Sequence, residues 1–563
     1  MPEHDVLIIG AGLAGQRAAL AAARGGAKVA IMSKVHPVRS HSVAAAGGIN
    51  AAINPADDWR SHAYDTVKGS DYLGDQDAIE AMCSEAPEEV LHLEHIGVTF
   101  HRNDGGELDL RAFGGASMKR TAYVADITGQ AILHVLYEQL IAHAEHVERF
   151  EEWFVTRLLT DDQGRCCGVV ARDLRDGRME IFAAKNVILA CGGAGQAYHP
   201  TTNGLIVTGD GIALAFRLGA PLIDMEMVQY HPTTLVENGL LITEGARGEG
   251  AVLLNAKGER FMERYAPNKL ELASRDVVSR AEQTEILEGR GVGPEGAGIY
   301  LDITPVPRRR ILEALREIVN IGRDFAGVDI TREPIMIRPG QHYIMGGVKT
   351  DIDGATSIPG LYAAGEVACV SVHGGNRLGA NSLLDTLIFG RRAGEHAAGR
   401  AAQIAMPKAP RSVLTDEEAA IAKIIARPAG GRRISEIKLE LGETMNEHVA
   451  VYRNEDGLQK ALATIKRLRE EAQVAHIDDR GTVFNQDVLG ALELSFMLDC
   501  AEATVTGAIE RKESRGAHFR TDFPERNDED WLKHIALTVG DDGPQIGYAD
   551  VTITQWQPEA RSY

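Results

Sequence analysis

The sequence predicts an α/β protein in which a dinucleotide-binding domain is split by an inserted domain and followed by a helical domain. An apolar run at residues 5–9 leads directly into G-x-G-x-x-G at residues 10–15. A second apolar run, residues 361–364, closes on glycine far downstream, after a stretch of different character. Beyond residue 406, glycines thin out and apolar residues recur with helical spacing. Together these patterns predict a split Rossmann-like domain and a C-terminal helical domain.

The fingerprint is typical of a strand, a tight turn and a helix that together bind a pyrophosphate. Gly10 permits the turn, Gly12 lets the pyrophosphate approach the backbone, and Gly15 lets the helix pack closely on the strand. The helix N-terminus offers N–H groups and the positive end of its dipole to the phosphates. A glycine-rich turn without a ligand is the alternative, but the order of strand, turn and helix favours a dinucleotide.

The second strand argues against ordinary NAD binding. It covers residues 28–32 and should end in an acidic residue for the ribose, yet Ser33 and Lys34 stand there.

Composition indicates a large protein of several domains. The chain has 563 residues, with 59 Lys and Arg against 80 Asp and Glu, a net charge of −21 that argues against a nucleic-acid partner. No uncharged apolar run is long enough to cross a bilayer. The first residues lack a basic and apolar signal pattern, so we expect a cytoplasmic location. The six cysteines show no C-x-x-C spacing, and we predict neither a disulfide framework nor a metal site.

We place domain boundaries where the sequence changes character. The first part of the dinucleotide domain covers residues 1–232, and its second backbone approach to the ligand follows an apolar strand at residues 185–190. The Gly-, Arg- and Glu-rich residues 233–345 form an inserted α+β capping domain, and residues 346–405 complete the split domain. Residues 406–535 form the helical domain, and residues 536–563 a C-terminal tail.

The helical domain is predicted to be structural. Apolar residues follow helical spacing at Leu458, Ala461, Leu462, Ile465 and Leu468, as expected for a helix that faces a core. Residues 415–418 match a capping box and are predicted to open this region.

Several basic and polar residues in and after the insertion could hold a small dianion. Arginine can bind a carboxylate with two hydrogen bonds, while histidine and threonine add further donors. Each residue also has a simpler interpretation: His231 precedes Pro232 and could belong to a turn, Arg275 and Asp276 could form a surface pair, and Glu244 could neutralise Arg247. The candidates are His231, Thr243, Glu244, Arg247, Arg275, His342 and Arg377.

The order and wording of these motifs resemble the flavoprotein subunit of succinate dehydrogenase and fumarate reductase over nearly the whole chain. The matching segments are GAGLAG at 10–15, RSHSV at 39–43, FGG at 113–115, YHPT at 230–233, TEGARGEG at 243–250, GERFM at 258–262, RDVV at 275–278, HYIMGG at 342–347, HGGNRLG at 373–379, NSLL at 381–384 and ESRGAH at 513–518. The resemblance implies a Rossmann-like FAD-binding domain split by the α+β capping domain.

The resemblance implies covalently bound FAD. His41 corresponds to the histidine joined to the 8α-methyl group of the flavin, a bond that raises the flavin potential so that succinate can be oxidised. A loop histidine that contacts the FAD without bonding is the alternative. One departure is Ala46, which stands where most relatives have glutamine near the flavin. The predicted cofactor residues are Gly10, Ala11, Gly12, Leu13, Ala14, Gly15, Ser33, Lys34, Ser40, His41, Ser42, Gly47, Gly48, Asp210, Glu366, Ser382 and Leu383.

The resemblance also implies the substrate and catalytic residues. Phe113, His231, Thr243, His342 and Arg377 correspond to the substrate site, to which Glu244 also belongs. Arg275 matches the residue that accepts the substrate proton, with Glu244 and Arg247 on the path to solvent. Because a guanidinium is almost always protonated, Arg275 is best described as a shuttle that passes one proton while it receives another.

The implied function is the oxidation of succinate to fumarate in a succinate:quinone oxidoreductase. Electrons would pass to an iron–sulfur subunit and then to membrane-anchor subunits that bind quinone and in some members haem. The expected location is the cytoplasmic face of a bacterial inner membrane. A fumarate reductase that works mainly in reverse is the first alternative. An L-aspartate-oxidase-like soluble flavoenzyme or a non-catalytic flavin-binding assembly factor, neither with a covalent bond, are the others.

Overall fold

The first part of the split domain is built on a large, mainly parallel sheet. In this computed structural model, residues 1–428 and 430–561 are described. The elements of this part are β1 (Glu3–Ile9), α1 (Leu13–Arg24), β2 (Val29–Ser33), β3 (Ile49–Asn50), α2 (Trp59–Gly69), α3 (Gln76–His95), β4 (Leu110–Arg111), β5 (Thr121–Ala122), α4 (Thr128–Ala142), β6 (Val147–Glu151), β7 (Trp153–Thr160), β8 (Cys166–Asp173), β9 (Met179–Leu189), α5 (Asp210–Arg217) and β10 (Leu222–Ile223).

The capping domain follows. Its elements are β11 (Val228–Leu235), α6 (Gly245–Gly248), β12 (Val252–Leu254), α7 (Met262–Tyr265), α8 (Arg275–Glu285), β13 (Ile299–Asp302), α9 (Arg308–Ala314), α10 (Arg316–Ala326) and β14 (Ile335–Ile344). The four strands form an antiparallel sheet in the order β11, β14, β13, β12. The sheet therefore starts at Val228, a few residues before the predicted boundary at residue 233.

The chain then returns to the split domain and ends in the helical region. The remaining elements are β15 (Gly347–Lys349), β16 (Leu361–Ala363), β17 (Ala368–Cys369), α11 (Asn381–Ala401), α12 (Ser412–Ile425), α13 (Ile434–His448), α14 (Glu455–Gln473), α15 (Gln486–Glu510), α16 (Asp528–Trp531), β18 (Lys533–Thr538) and β19 (Gln545–Asp550). No helix within residues 1–428 and 430–561 is long and apolar enough to span a bilayer.

The large sheet confirms the predicted split domain. Its order is β6, β2, β1, β9, β8, β7, and β16 pairs in parallel with the carboxyl end of β9. Strand β16 comes from the second segment of the domain, so the insertion leaves one continuous sheet. Helix α11 packs against α1 over this sheet, and their apolar residues share one core.

Two glycines of the fingerprint are required by close backbone contacts. Gly10 has a φ of +108°, and a Cβ there would lie 2.1 Å from the carbonyl oxygen of Ala190, which directly follows the neighbouring strand β9. A Cβ on Gly15 would lie 1.9 Å from the Gly10 oxygen. A side chain at either position would force α1 away from the sheet, as the fingerprint predicts.

The helical region agrees with its predicted periodicity, with one error at its start. Helix α14 buries Leu458, Ala461, Ile465 and Leu468. Helix α12, however, begins at Ser412, so Thr415 lies within its first turn and does not cap it. The pattern Thr-x-x-Glu also occurs inside helices, which is why it misplaced this boundary.

The C-terminal residues form a hairpin that the sequence analysis did not anticipate. Strand β18 pairs with β10 of the split domain and with β19, in a five-stranded sheet of order β17, β15, β10, β18, β19. The predicted tail at residues 536–563 thus begins within β18 and contributes an edge strand.

Candidate active site

One continuous cavity runs from the β1–α1 turn to the basic residues under the capping domain. Its volume is about 1710 Å³ including its opening to solvent. All the predicted cofactor residues except Gly15 line it. Gly15 instead packs against the Gly10 backbone of the turn. Phe113, His231, Thr243, Glu244, Arg275, His342 and Arg377 line the other end of the same cavity. The two predicted sites are therefore adjacent.

The turn at the N-terminus of α1 is shaped for a pyrophosphate. Gly12 precedes the helix, and a Cβ on it would lie 3.2 Å from the Ser42 hydroxyl, so the glycine keeps the approach open. Ser42 accepts a hydrogen bond from the Leu13 amide at 3.3 Å. Backbone amides at a helix N-terminus bind phosphate groups well, so this end of the cavity fits a dinucleotide.

Lys34 stands where an NAD-binding strand would end in an acidic residue, and it forms two ion pairs. Its ammonium contacts Asp210 and Glu493 at 2.8 Å each, and donates to the Thr208 hydroxyl at 2.7 Å. Burial alone would lower the pKa of Lys34, but the two carboxylates outweigh it and raise that pKa. Two predicted cofactor residues, Lys34 and Asp210, are thus joined to helix α15 through Glu493.

His41 lines the cavity and is held through one of its ring nitrogens. It begins a short 3₁₀ helix, His41–Ala44, and its Nδ1 accepts a hydrogen bond from the Gly204 amide at 3.3 Å. Nε2 is therefore the nitrogen left to meet the cavity. Burial lowers the pKa of His41 to about 4, so the imidazole is neutral at neutral pH, and with Nδ1 as an acceptor its hydrogen lies on Nε2.

The second segment of the split domain completes this wall of the cavity. Ser382 and Leu383 lie in the first turn of α11, and Glu366 follows β16. The Glu366 carboxylate accepts a hydrogen bond from the Ile344 amide at 3.2 Å. Burial raises the pKa of Glu366 to about 7, and Arg377 opposes this shift.

Arg275 and Glu244 form a buried ion pair at the basic end. Arg275 begins helix α8, and its Nε donates to Glu244 at 2.7 Å. Its Nη1 donates to the Gln229 side chain at 3.0 Å, and the Gly114 amide donates to the other Glu244 oxygen at 2.6 Å. Burial lowers the pKa of Arg275, although Glu244 opposes this. Burial would raise the pKa of Glu244, but Arg275 and Arg247 outweigh it, so the carboxylate stays ionised.

Arg377 is a buried cation without an anionic partner. It is 2% exposed, and no hydrogen bond or ion pair joins its guanidinium to another residue within the described ranges. The guanidinium lies 4.5 Å from the centre of the Tyr343 ring. Burial and the nearby Arg275 charge lower the pKa of Arg377 to about 9. A buried charge of this kind requires an anion, which a ligand in the cavity can supply.

His231 and His342 are neutral donors on neighbouring strands. Their ring centres are 4.9 Å apart on β11 and β14. The Thr233 amide donates to Nδ1 of His231 at 3.2 Å, and the Thr202 hydroxyl lies 2.8 Å from Nδ1 of His342. Burial and the Arg275 charge lower the pKa of both histidines well below the ordinary value. Each ring can therefore present Nε2–H to a ligand.

Phe113 and Thr243 also line the basic end of the cavity. Phe113 packs so closely on Gly47 that a Cβ there would lie 2.6 Å from the ring. The Thr243 hydroxyl accepts a hydrogen bond from the Gly245 amide at 3.2 Å, which leaves its hydrogen for a ligand. The ring closes the cavity beside the cofactor end, and the hydroxyl adds a donor.

Arg247 lies behind Glu244 and outside the cavity lining. Its Nη2 is 3.6 Å from the Glu244 carboxylate, and its Nη1 donates to the Glu271 carbonyl. Its side chain is fully buried, and its Nε and Nη2 have no hydrogen-bond partner among the described residues.

The structure overturns two of the simpler interpretations. Arg275 and Asp276 do not form a surface pair: Arg275 is 6% exposed and binds Glu244, whereas Asp276 binds Arg280 and Arg561. His231 lies within strand β11 rather than in a turn.

Two residues near the site were missed by sequence reasoning. The Gln229 side-chain amide accepts a hydrogen bond from Arg275. It donates to the Asn376 side chain and to the Arg377 carbonyl, both at 2.8 Å. Tyr343 holds the Arg377 guanidinium against its ring and donates to Asp385 at 3.3 Å. Tyr343 follows the predicted His342, and Gln229 lies two residues before the predicted His231, so proximity in the sequence was the available signal.

Comparisons with known proteins agree with this geometry. The FAD binding domain family matches residues 5–383, and the fumarate reductase flavoprotein C-terminal family matches residues 438–563. The succinate dehydrogenase flavoprotein subunit of Rickettsia bellii is 46% identical over 100% of this chain and 97% of its own. The fumarate reductase flavoprotein subunit of Mycobacterium tuberculosis is 45% identical over 100% and 99%.

A solved structure confirms the predicted fold class. The FrdA chain of E. coli quinol fumarate reductase superposes with a TM-score of 0.95 at 39% identity, over 100% of this chain and 99% of that one. The sequence, the fold and the continuous cavity lead to one conclusion: the chain belongs to the family of FAD-binding flavoprotein subunits of succinate dehydrogenases and fumarate reductases.

Proposed function

We propose that this protein is the catalytic subunit of a succinate:quinone oxidoreductase and oxidises succinate to fumarate. The observation that carries the proposal is the buried Arg377 guanidinium, which has no anionic partner and faces the same cavity as Arg275. Two guanidinium groups, one already neutralised by Glu244, leave a net positive pocket. A small dicarboxylate has the opposite charge and can be held at both ends.

The cavity provides donors for both carboxylates. His231 and Thr243 lie in the capping domain, whereas Arg377 lies in the second segment of the split domain. His342, at the end of β14, stands where these two parts meet. The bound substrate would thus be held between the capping domain and the cofactor, and Phe113 would keep water away from the reacting carbons.

The cofactor end fits FAD joined to the chain through His41. When bound, FAD supplies the hydride acceptor of the reaction. His41 would form the bond through Nε2, which would release its proton, and the neutral ring would keep its Nδ1 contact with the Gly204 amide afterwards. Lys34 and Asp210, Glu366 with Ser382 and Leu383, and the turn at Gly10 to Leu13 would hold the rest of the molecule.

Arg275 would take the proton that leaves the substrate carbon. As its guanidinium receives this proton, its Nε–H passes to Glu244, which lies 2.7 Å away, so no full loss of charge on arginine is required. Arg247 then stands next in line behind Glu244. In the reverse direction the same groups would deliver a proton to fumarate.

Fumarate reduction is the second candidate function. It is favoured by the fumarate reductase name of the M. tuberculosis relative, which is as similar to this chain as the succinate dehydrogenases are. We rank an L-aspartate-oxidase-like activity and an assembly-factor role below both, because neither uses a covalent bond between His41 and the flavin.

The partners follow from the relatives, which are named as subunits. We propose that electrons leave through an iron–sulfur subunit to membrane-anchor subunits that bind quinone, in some complexes with haem. This arrangement would place the protein at the cytoplasmic face of a bacterial inner membrane.

The test is to express the chain with its partner subunits, denature it, and look for flavin fluorescence on the gel. We expect fluorescence on the His41 peptide, and succinate-dependent reduction of a quinone by the native complex. Kinetics with succinate and with fumarate then give the preferred direction. Fluorescence that washes out of a correctly assembled complex would contradict the covalent bond, and a lack of turnover with either dicarboxylate would contradict the function.

A further inference from the structure

Glu282 is a buried carboxyl that the proposed reaction does not use. It lies on helix α8, is 0% exposed, and neither of its oxygens has a hydrogen-bond partner among the described residues. The other acidic residues of α8 differ from it. Asp276 binds Arg280 and Arg561, and Glu285 binds Arg264 and Arg290. Burial therefore removes Glu282 from water, and no ion pair in the described part of the chain offsets the lost hydration as the arginines do for Asp276 and Glu285.

The position of Glu282 relates it to the proton path. It follows Arg275 by seven residues, which places both on one face of α8, two helical turns apart. The adjacent Ala281 packs in the same core as Ala246, the neighbour of Arg247. Burial raises the pKa of Glu282 well above its usual value, and the nearby Arg247 guanidinium opposes this shift. Full burial without a partner in residues 1–428 and 430–561 favours the neutral form of this carboxyl, and the Arg247 cation lies near it.

Within the described ranges, Arg247 has buried hydrogen-bond donors without acceptors, whereas Glu282 has buried oxygens without partners. Its Nε and Nη2 are buried and have no hydrogen-bond partner among the described residues, although Nη2 lies 3.6 Å from the Glu244 carboxylate. Buried polar groups that lack protein partners bind internal water, which can join a donor to an acceptor. The unpartnered atoms of Arg247 and Glu282 are suited to such a bridge.

We propose that Glu282 is an internal proton store that extends the path formed by Arg275, Glu244 and Arg247. This inference rests on the proposed function and names a further positioning residue for it. During fumarate reduction, the Glu282 carboxyl gives its proton through water to Arg247. Arg247 passes one proton to Glu244, Glu244 passes one to Arg275, and Arg275 delivers one to the substrate carbon. Glu282 is left as a carboxylate and takes a new proton from solvent, so one proton enters for each one delivered. Succinate oxidation runs the same transfers in reverse.

The test compares three substitutions of Glu282 in the assembled complex. Glu282→Gln keeps the size and polarity but cannot release a proton. Glu282→Met removes the polar group at similar length, and Glu282→Asp keeps a carboxyl. The matched control is Glu288→Gln, an exposed position shortly after α8 whose partner Arg290 also binds Glu285. For each variant kcat, KM, the solvent deuterium isotope effect on kcat and the thermal midpoint are measured with succinate and with fumarate.

We expect Glu282→Gln and Glu282→Met to lower kcat about tenfold with unchanged KM and a larger solvent isotope effect. Glu282→Asp should recover part of the rate. The thermal midpoint of Glu282→Met should equal or exceed that of the unmodified complex, because an unpartnered buried carboxyl is replaced by an apolar group.

Two results would overturn the inference while the proposed function stands. One is an unmodified complex that turns over both dicarboxylates alongside a Glu282→Gln complex with the same kcat and isotope effect. The other is a loss of kcat in all three variants that is accompanied by lower thermal midpoints and a raised KM, which indicates a structural role. An unmodified complex that is inactive with both dicarboxylates would overturn the proposed function and this inference together.

Discussion

Arg275 Nε lies 2.7 Å from the Glu244 carboxylate in a buried pair, and the Gly114 amide donates to the second oxygen of that carboxylate. One oxygen of the Glu244 carboxylate is therefore held by the Gly114 amide, and the other can exchange a proton with Arg275. This arrangement keeps the guanidinium from rotating and gives its Nε–H an acceptor.

Glu244→Gln should lower kcat by about 10²-fold in both directions with little change in KM. The Gln carbonyl can still accept from Gly114, but its NH₂ group then faces the Arg275 donor, so the pair is broken. Steady-state kinetics with succinate and fumarate measure this. A variant with normal kcat would show that the proton leaves Arg275 by another route.

Arg377→Met should have opposite effects on stability and on binding. Removing a buried cation without a partner should leave the ligand-free protein as stable or more stable, by about 1–3 kcal/mol. The same change removes the anion site, so succinate and fumarate should no longer raise the thermal midpoint. Differential scanning calorimetry with and without dicarboxylate measures both effects. A dicarboxylate-dependent rise that survives in the variant would move the substrate site elsewhere.

His41→Ala should retain FAD without a covalent bond and should lose succinate oxidation more than fumarate reduction. The reason is that an unbonded flavin has a lower potential, which disfavours oxidation of a weak reductant. In-gel fluorescence and the ratio of the two activities measure this. His36→Ala, at a half-exposed histidine that does not line the cavity, is the control and should keep both properties. Equal losses in the two directions would argue against control by the flavin potential.

The protonated His534 should stabilise the folded protein, and this contribution to the free energy of unfolding should be lost in alkaline solution. Burial alone would lower its pKa, but Asp224 and Asp75 outweigh burial and raise the pKa to about 10. The unfolded value is about 6.5, so the folded state binds the proton more tightly. The resulting stabilisation is complete below pH ~6.5 and is lost as the pH rises towards about 10, at up to about 1.4 kcal/mol per pH unit.

The measurement is urea unfolding of the protein and of His534→Gln at several pH values in that window. The difference in unfolding free energy between the two should shrink as the pH rises. His146→Gln, at an exposed histidine, should show a constant difference. A constant difference for His534→Gln as well would mean that His534 is not charged in the folded protein.

The sequence predicted the parts of this protein that depend on local patterns or on whole motifs. Gly10 and Gly15 were assigned because a tight turn and a close helix–strand contact leave no room for a side chain. Arg275, His231 and Arg377 were found through motifs, although only the fold shows that they meet in one cavity.

What the sequence did not reveal depends on contacts between distant segments. Gln229 is one residue of a buried strand, and nothing in the pattern of β11 marks it as the partner of Arg275. The C-terminal hairpin was missed because its strand β18 is stabilised by pairing with β10, which is hundreds of residues earlier in the chain. The start of α12 was misplaced because the capping pattern is not unique to helix ends.

The return of β16 and α11 to the first sheet has a consequence for the biosynthesis of this protein. His41 leaves the ribosome early, whereas Glu366, Arg377 and the first turn of α11, which share its cavity, are made much later. The nascent N-terminal half thus lacks one wall of the flavin pocket. The proposed flavin attachment would accordingly follow translation of the second segment, and a chain that stops before β16 is expected to be released without FAD.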